Sequence, residues 1–173
     1  MKKIILLVVF LVSGMCYGQK DFIWEKIDSV PKSKSQIYSD TKLFIAEEWK
    51  SAQSVIQNDD KDAGIVLIKG ASTQNIFFQL NDHIYSFYYT ISFYMKENKY
   101  RILINNVYCY SGRCGNYEWP KMDCSDAYPG FKNAGMNENR YFTLMNNLKN
   151  ELQAIFNSYI KFISSPTSPS KDW

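Results

Sequence analysis

The stretch Ile84–Tyr110, IYSFYYTISFYMKENKYRILINNVYCY, decides the fold. Tyr85, Phe87, Tyr89, Ile91, Phe93 and Met95 fall on one face of an extended chain and Ser86, Tyr88, Thr90, Ser92 and Tyr94 on the other, the period of two that marks a strand with one face in the core. Lys96-Glu97-Asn98-Lys99 interrupts the pattern and reverses the chain. A symmetric turn there pairs Met95 with Tyr100, Phe93 with Ile102 and Ile91 with Ile104. All six residues share a face, so burial itself specifies the register. The same register sets Tyr94 opposite Arg101, Ser92 opposite Leu103, Thr90 opposite Asn105 and Tyr88 opposite Val107.

The sequence before the hairpin supplies its neighbours. Asp21–Asp28 alternates aromatic and branched residues with charged ones and suits a first strand. Pro31 ends it, and Ser33-x-x-Gln36 has the form of a capping box that opens a helix. Ile37, Tyr38, Thr41, Phe44, Ile45, Trp49 and Ala52 then recur at threes and fours, a single apolar stripe that needs a sheet to cover it. Gly64–Gly70 and Asn75–Leu80 read as two short strands joined by a polar turn at Ser72-Thr73-Gln74. Between the helix and these strands lies an acidic run, Asn58 to Asp62. Its alternating Asn58, Asp60 and Asp62 suggest a calcium loop, but Ala63 stands where such a loop needs its glycine and Lys69 where it needs its glutamate. Solvated turn chemistry is the simpler reading.

After the hairpin, residues 111–138 hold Gly112, Gly115, Pro120, Pro129, Gly130 and Gly135 with no sustained period and read as a long loop. Tyr117, Trp119, Tyr128 and Phe131 imply that it packs against the domain. Tyr141–Ile163 carries the strongest helical period of the chain, with no internal glycine or proline. The tail 164–173 lacks a core pattern and is expected to be disordered.

The first residues set an expected address. Lys2 and Lys3, the apolar run Ile4–Val12 and small residues ending at Gly18 have the layout of a secretory signal peptide, 1–18. The run is well short of the roughly 20 residues a spanning helix needs, so no transmembrane segment is expected after cleavage. Cys16 admits lipidation, although Met15 before it is a poor match. The mature chain, 19–163 plus its tail, is long enough for a single domain and carries a net charge of only about +1, which argues against nucleic acid as a partner. Export makes a disulfide the default for two of Cys109, Cys114 and Cys124. Cys114 and Cys124 share the loop and are the favoured pair, with Cys109 to Cys114 as the competitor. Three thiolates with the lone His83 match no zinc pattern, and no cofactor is expected.

The helix Lys34–Ser51 with its late Trp49, the segment QNDDKDAGIVLIKG from Gln57 to Gly70, and the aromatic strand leaving its turn through Lys99-Tyr100-Arg101 together resemble a family of exported Gram-negative bacterial proteins, classed as a domain of unknown function with a TBP-like fold. The likeness covers about Phe22 to Tyr110. It implies an α+β domain of order β-α-β4-α, a curved antiparallel sheet with two helices on one face. The resemblance brings no catalytic residues, and the fold name does not imply DNA binding.

Three functions remain open on this reading. The first is a non-catalytic envelope domain that binds a protein or ligand through the helix-free sheet face, where Tyr88, Tyr94, Arg101, Leu103 and Asn105 lie; aromatic and arginine side chains are common interface anchors. Ordinary solvent-facing strand residues explain the same row. The second is a pocket between loop and sheet for a small apolar or sugar-like ligand. The third, weakest, is a secreted hydrolase using Cys109 with His83, or the group Asp59, Asp60 and Asp62.

Overall fold

The computed structural model describes residues 22–78, 81–111, 122–123 and 137–166, with backbone alone for residues 76–78, 81–83, 110–111 and 122–123. The expected signal peptide with Cys16, the Cys114–Cys124 bridge, the loop aromatics and the tail from residue 167 lie outside the described residues. The order is β1 (Trp24–Ser29), α1 (Lys34–Glu48), a single turn α2 (Ala52–Val55), β2 (Ile56–Asp60), β3 (Ile65–Phe78), β4 (Asn81–Lys96), β5 (Lys99–Ser111), β6 (Met122–Asp123) and α3 (Glu138–Ser164). All strands pair antiparallel in the spatial order β1-β5-β4-β3-β2, and the two-residue β6 pairs with β5. This is the α+β arrangement that the resemblance implies.

α1 begins where the capping box places it. Gln36 N donates to Ser33 Oγ at 3.2 Å and Ser33 N to Gln36 Oε1 at 2.8 Å, so two amides without helical partners are satisfied reciprocally. Ile37, Thr41, Phe44 and Ile45 are buried, and Tyr38 and Trp49 are half-buried against the core. α3 starts three residues earlier than its apolar period suggests, because Asn137 caps it by accepting from Arg140 N at 3.0 Å. Leu144, Met145, Leu148, Leu152, Ile155, Phe156, Tyr159 and Ile163 form its buried face.

Both long helices pack on the sheet face carrying Phe87, Tyr89, Ile91, Phe93 and Met95 with Tyr100, Ile102 and Ile104. Tyr159 sits at the centre. Its ring lies 4.8 Å from Phe93, 5.2 Å from Phe44 and 5.7 Å from Tyr100, and its hydroxyl reaches Thr41 Oγ1 at 3.0 Å. Burial pushes the Tyr159 phenol above its ordinary value.

Three readings of the strands are corrected. The two short runs Gly64–Gly70 and Asn75–Leu80 are one continuous strand, β3, and Ser72-Thr73-Gln74 is its middle rather than a turn. Ser72 is buried there because Glu151 of α3 accepts from both Ser72 Oγ and Gln74 Nε2, which lets polar residues sit on the core side. Asn58, Asp59 and Asp60 belong to strand β2, and the turn is confined to residues 61–64, where Gly64 takes the left-handed conformation at φ 69°. Finally, Tyr88 pairs with Tyr108 and not with Val107. The register holds from Lys96↔Lys99 to Thr90↔Asn105, after which β5 spends three residues where β4 spends two. The extra residue is a β-bulge with Asn106 at φ 53°, and past it Val107 and Cys109 turn into the core. Cys109 is a free, fully buried thiol, which removes the Cys109–Cys114 alternative.

Candidate functional site

Strand pairing alone assembles the face opposite the helices. Reading across the sheet, one row runs Ile27, Arg101, Tyr94, Ile65; the next Glu25, Leu103, Ser92, Leu67; the third Asn105, Thr90, Lys69; and the fourth, beyond the bulge, Tyr108, Tyr88, Ala71. Tyr88, Tyr94, Arg101, Leu103 and Asn105 therefore all lie on the helix-free face. Tyr108 joins them. The unbroken period of two assigned it to the other face, and only the residue pair Asn105-Asn106, tolerant of left-handed backbone, signalled the shift.

The chemistry of the face is polarised along the strands. At one end the Arg101 guanidinium lies 5.1 Å from the Tyr94 ring centroid, and its Nε stands 2.7 Å from Glu25 Oε1, close enough for an ion pair though not aligned as a hydrogen bond. At the other end the Tyr88 and Tyr108 rings stack with centroids 5.4 Å apart and planes 20° off parallel. Between them Thr90 and Ser92 are only 8% and 5% exposed, walled in by longer neighbours, so the face has a floor. Asn105 lies on that floor next to Thr90, and its Oδ1 is buried with no hydrogen-bond partner among the described residues. Ile27 at 54% and Ile84 at 51% exposure leave apolar surface on the same side.

The other candidate groups are not brought together. The backbone register puts Cys109 beside Phe87, four strand residues from His83, a span of about 13 Å. Burial holds the Cys109 thiol up at about 12, far from the thiolate a nucleophile needs. Asp59 is engaged structurally, accepting from Lys42 Nζ and the Tyr38 hydroxyl. Burial acts to raise its pKa, but those two bonds outweigh it and hold the carboxyl below its ordinary value. Asp60 Oδ1 accepts from Ala63 N within the turn. Among the described residues no three His, Cys, Asp or Glu side chains cluster as metal ligands, and no helix is long and apolar enough to cross a membrane. Two described cavities, about 310 Å³ lined by Phe44, Glu48 and Phe162 and about 370 Å³ lined by Lys34, Tyr38 and Lys61, open on the helical side or at the start of α1 and not on the tyrosine face.

With that geometry in hand, the comparisons with known proteins concern fold and family. A family model described as a domain of unknown function (DUF4468) with TBP-like fold matches residues 24–110, just over half of the chain. Among solved structures, a DUF4468 family protein from Bacteroides ovatus ATCC 8483 is 14% identical with a TM-score of 0.61, the alignment covering 85% of this chain and 89% of that one. A TBP-like protein from Parabacteroides distasonis ATCC 8503 is 13% identical with a TM-score of 0.59, covering 85% and 96%. At such identities the likeness establishes the fold alone. No curated protein matches the chain. The matched segment spans the first strand, the capped helix and the long hairpin that carries the tyrosine face, and on that match the chain belongs to the DUF4468 family of TBP-like domains.

Proposed function

We propose that this is an exported, non-catalytic domain of the cell envelope that binds a partner protein through its helix-free sheet face. The observation that carries the reading is Asn105 Oδ1, a buried acceptor lacking a described donor, set between the Tyr94–Arg101 pair and the Tyr88–Tyr108 stack. An unpaired buried polar atom costs free energy, and a donor supplied by a partner relieves that cost. A bulge beside it re-aims side chains in the way bulges do next to sites. Tyrosine and arginine supply large, adaptable contact area around the donor position. The apolar leader Ile4–Val12 supports the export part of the proposal.

The test uses crosslinking with mass spectrometry in the native host, comparing the wild-type chain with Tyr94→Ala/Arg101→Ala, with Asn105→Leu, and with Leu43→Ala as a control on the exposed helical side. The two face variants are expected to lose a neighbour that the control retains. A neighbour set that is unchanged in the face variants, or lost equally in the control, would falsify the reading.

A further inference from the structure

Among the described residues the sheet guards the edges formed by β1 and β2 and leaves part of β3 without a strand beside it. β1 carries Glu25, Lys26 and Asp28 along an edge of six residues, and β2 carries Asp59 and Asp60 and a register shift between Ile56 and Asn58. Charges, bulges and shortness are the devices by which strands avoid pairing with foreign edges. β2, however, covers β3 only from Ile65 to Ile68. From Gly70 to Phe78 no described strand pairs with β3 on that side, where the turn α2 leads into β2 at the Ile68 end.

The backbone groups on this open edge can be identified from the ladder. Met95 N donates to Gly64 O at 2.8 Å, so the odd residues of β4 aim their backbone groups toward β3. Pairing from Ile65↔Tyr94 to Phe78↔Asn81 has no bulge, so the even residues of β3 complete those bonds. The odd residues Ala71, Thr73, Asn75 and Phe77 consequently aim their amides and carbonyls outward. Among the described residues none of these groups has a backbone partner across the edge. Residues 70–78, GASTQNIFF, contain no ionisable group and no proline.

We infer that this edge pairs antiparallel with the same edge of a second copy of this chain, about a two-fold axis through Thr73. The described side chains of these residues, Ala71, Thr73 and Asn75, are small and uncharged and offer nothing large or ionic by which the edge would select a different peptide. Doubling the segment on itself meets no like charge, sets Thr73 against Thr73 and Ala71 against Asn75, and satisfies the outward backbone groups of these three residues reciprocally. About that axis Gly70–Ile76 of each copy overlap, seven residues or about 23 Å. Contact of that length covers less than half the roughly 800 Å² per partner of a stable interface, so the dimer dissociates at micromolar concentration.

Sedimentation equilibrium of the purified full chain across the micromolar range tests the pairing, with amide hydrogen exchange read at low and high concentration. The expected result is a reversible dimer whose Ala71, Thr73 and Asn75 amides gain protection with concentration. Thr73→Pro removes an outward amide and no bond to β4, and is expected to raise the dissociation constant about a hundredfold with unchanged circular dichroism. If that variant misfolds, Thr73→Lys places like charges face to face and is expected to do the same. Tyr94→Ala/Arg101→Ala lies on the other surface and is expected to leave the dimer intact, which separates this inference from the proposed partner site. A chain that stays monomeric throughout overturns the pairing. So does a dimer indifferent to both Thr73 variants, or edge amides protected equally at every concentration.

Discussion

Two glycines show how single residues hold this sheet in shape. At Gly64, φ is 69° and an added Cβ would lie 2.4 Å from the Met95 carbonyl oxygen, a backbone atom fixed by the ladder it belongs to. At Gly70 the added Cβ would meet the Tyr89 ring at 2.2 Å, because that ring lies across the glycine from the facing strand. A side chain can swing aside where a backbone carbonyl cannot. Gly70→Ala is therefore expected to cost about 1–3 kcal/mol through overpacking. Gly64→Ala combines left-handed strain with an immovable clash and is expected to cost about 3–5 kcal/mol. Urea unfolding of the two variants checks the order, and a larger loss at Gly70 would contradict the assignment of the clashes.

Between elements, the fold depends on polar ties as well as apolar faces, and these were the least legible part of the sequence. Alternation fixed the strand register correctly from Thr90 to Asn105, because a slip there would expose six large side chains. It failed at Asn106, since a bulge leaves composition unchanged and alters only the phase. It failed again at Ser72-Thr73-Gln74, where local turn propensity was overridden by Glu151, a residue 79 positions away from Ser72. Lys32 is a second tie of that kind. Its Nζ is buried, donating to Asp40 Oδ2 of α1 at 2.8 Å and to the Ile163 carbonyl near the end of α3 at 2.9 Å, where a cation also suits the helix dipole. Its carbonyl accepts from Asn98 N in the hairpin turn. Lys32→Met would strand Asp40 without a countercharge and is expected to cost about 3–5 kcal/mol, whereas Lys32→Met/Asp40→Leu recovers most of the loss. Denaturant midpoints of the single and double variants decide it, and strictly additive losses would mean the pair is not coupled.

Across the whole molecule, protons trapped in the core set an alkaline limit on folding. Burial raises Tyr89 to about 12, with the Glu151 carboxylate adding to the effect. It raises Cys109 to about 12, and it raises Tyr159 more strongly still. In the unfolded chain a thiol ionises near about 8.5 and a phenol near about 10. Above those values the native state holds protons that the unfolded state has released, so stability is fully present below them and falls as pH climbs toward the folded values. Each group contributes a slope of up to about 1.4 kcal/mol per pH unit, and the three together about 4. For a domain stability in the lower half of the usual range of roughly 5–15 kcal/mol, that slope unfolds the protein above about pH 11 before its buried phenols ionise in place. An alkaline titration followed at once by phenolate absorbance and far-ultraviolet circular dichroism should therefore show the buried phenols, Tyr89 and Tyr159, ionising in one cooperative step that coincides with loss of structure. Tyr159→Phe removes one of the three trapped protons and should make the dependence of stability on pH shallower above about pH 10. Full ionisation of the tyrosines ahead of any change in dichroism would instead mean that the helices do not seal this core from water.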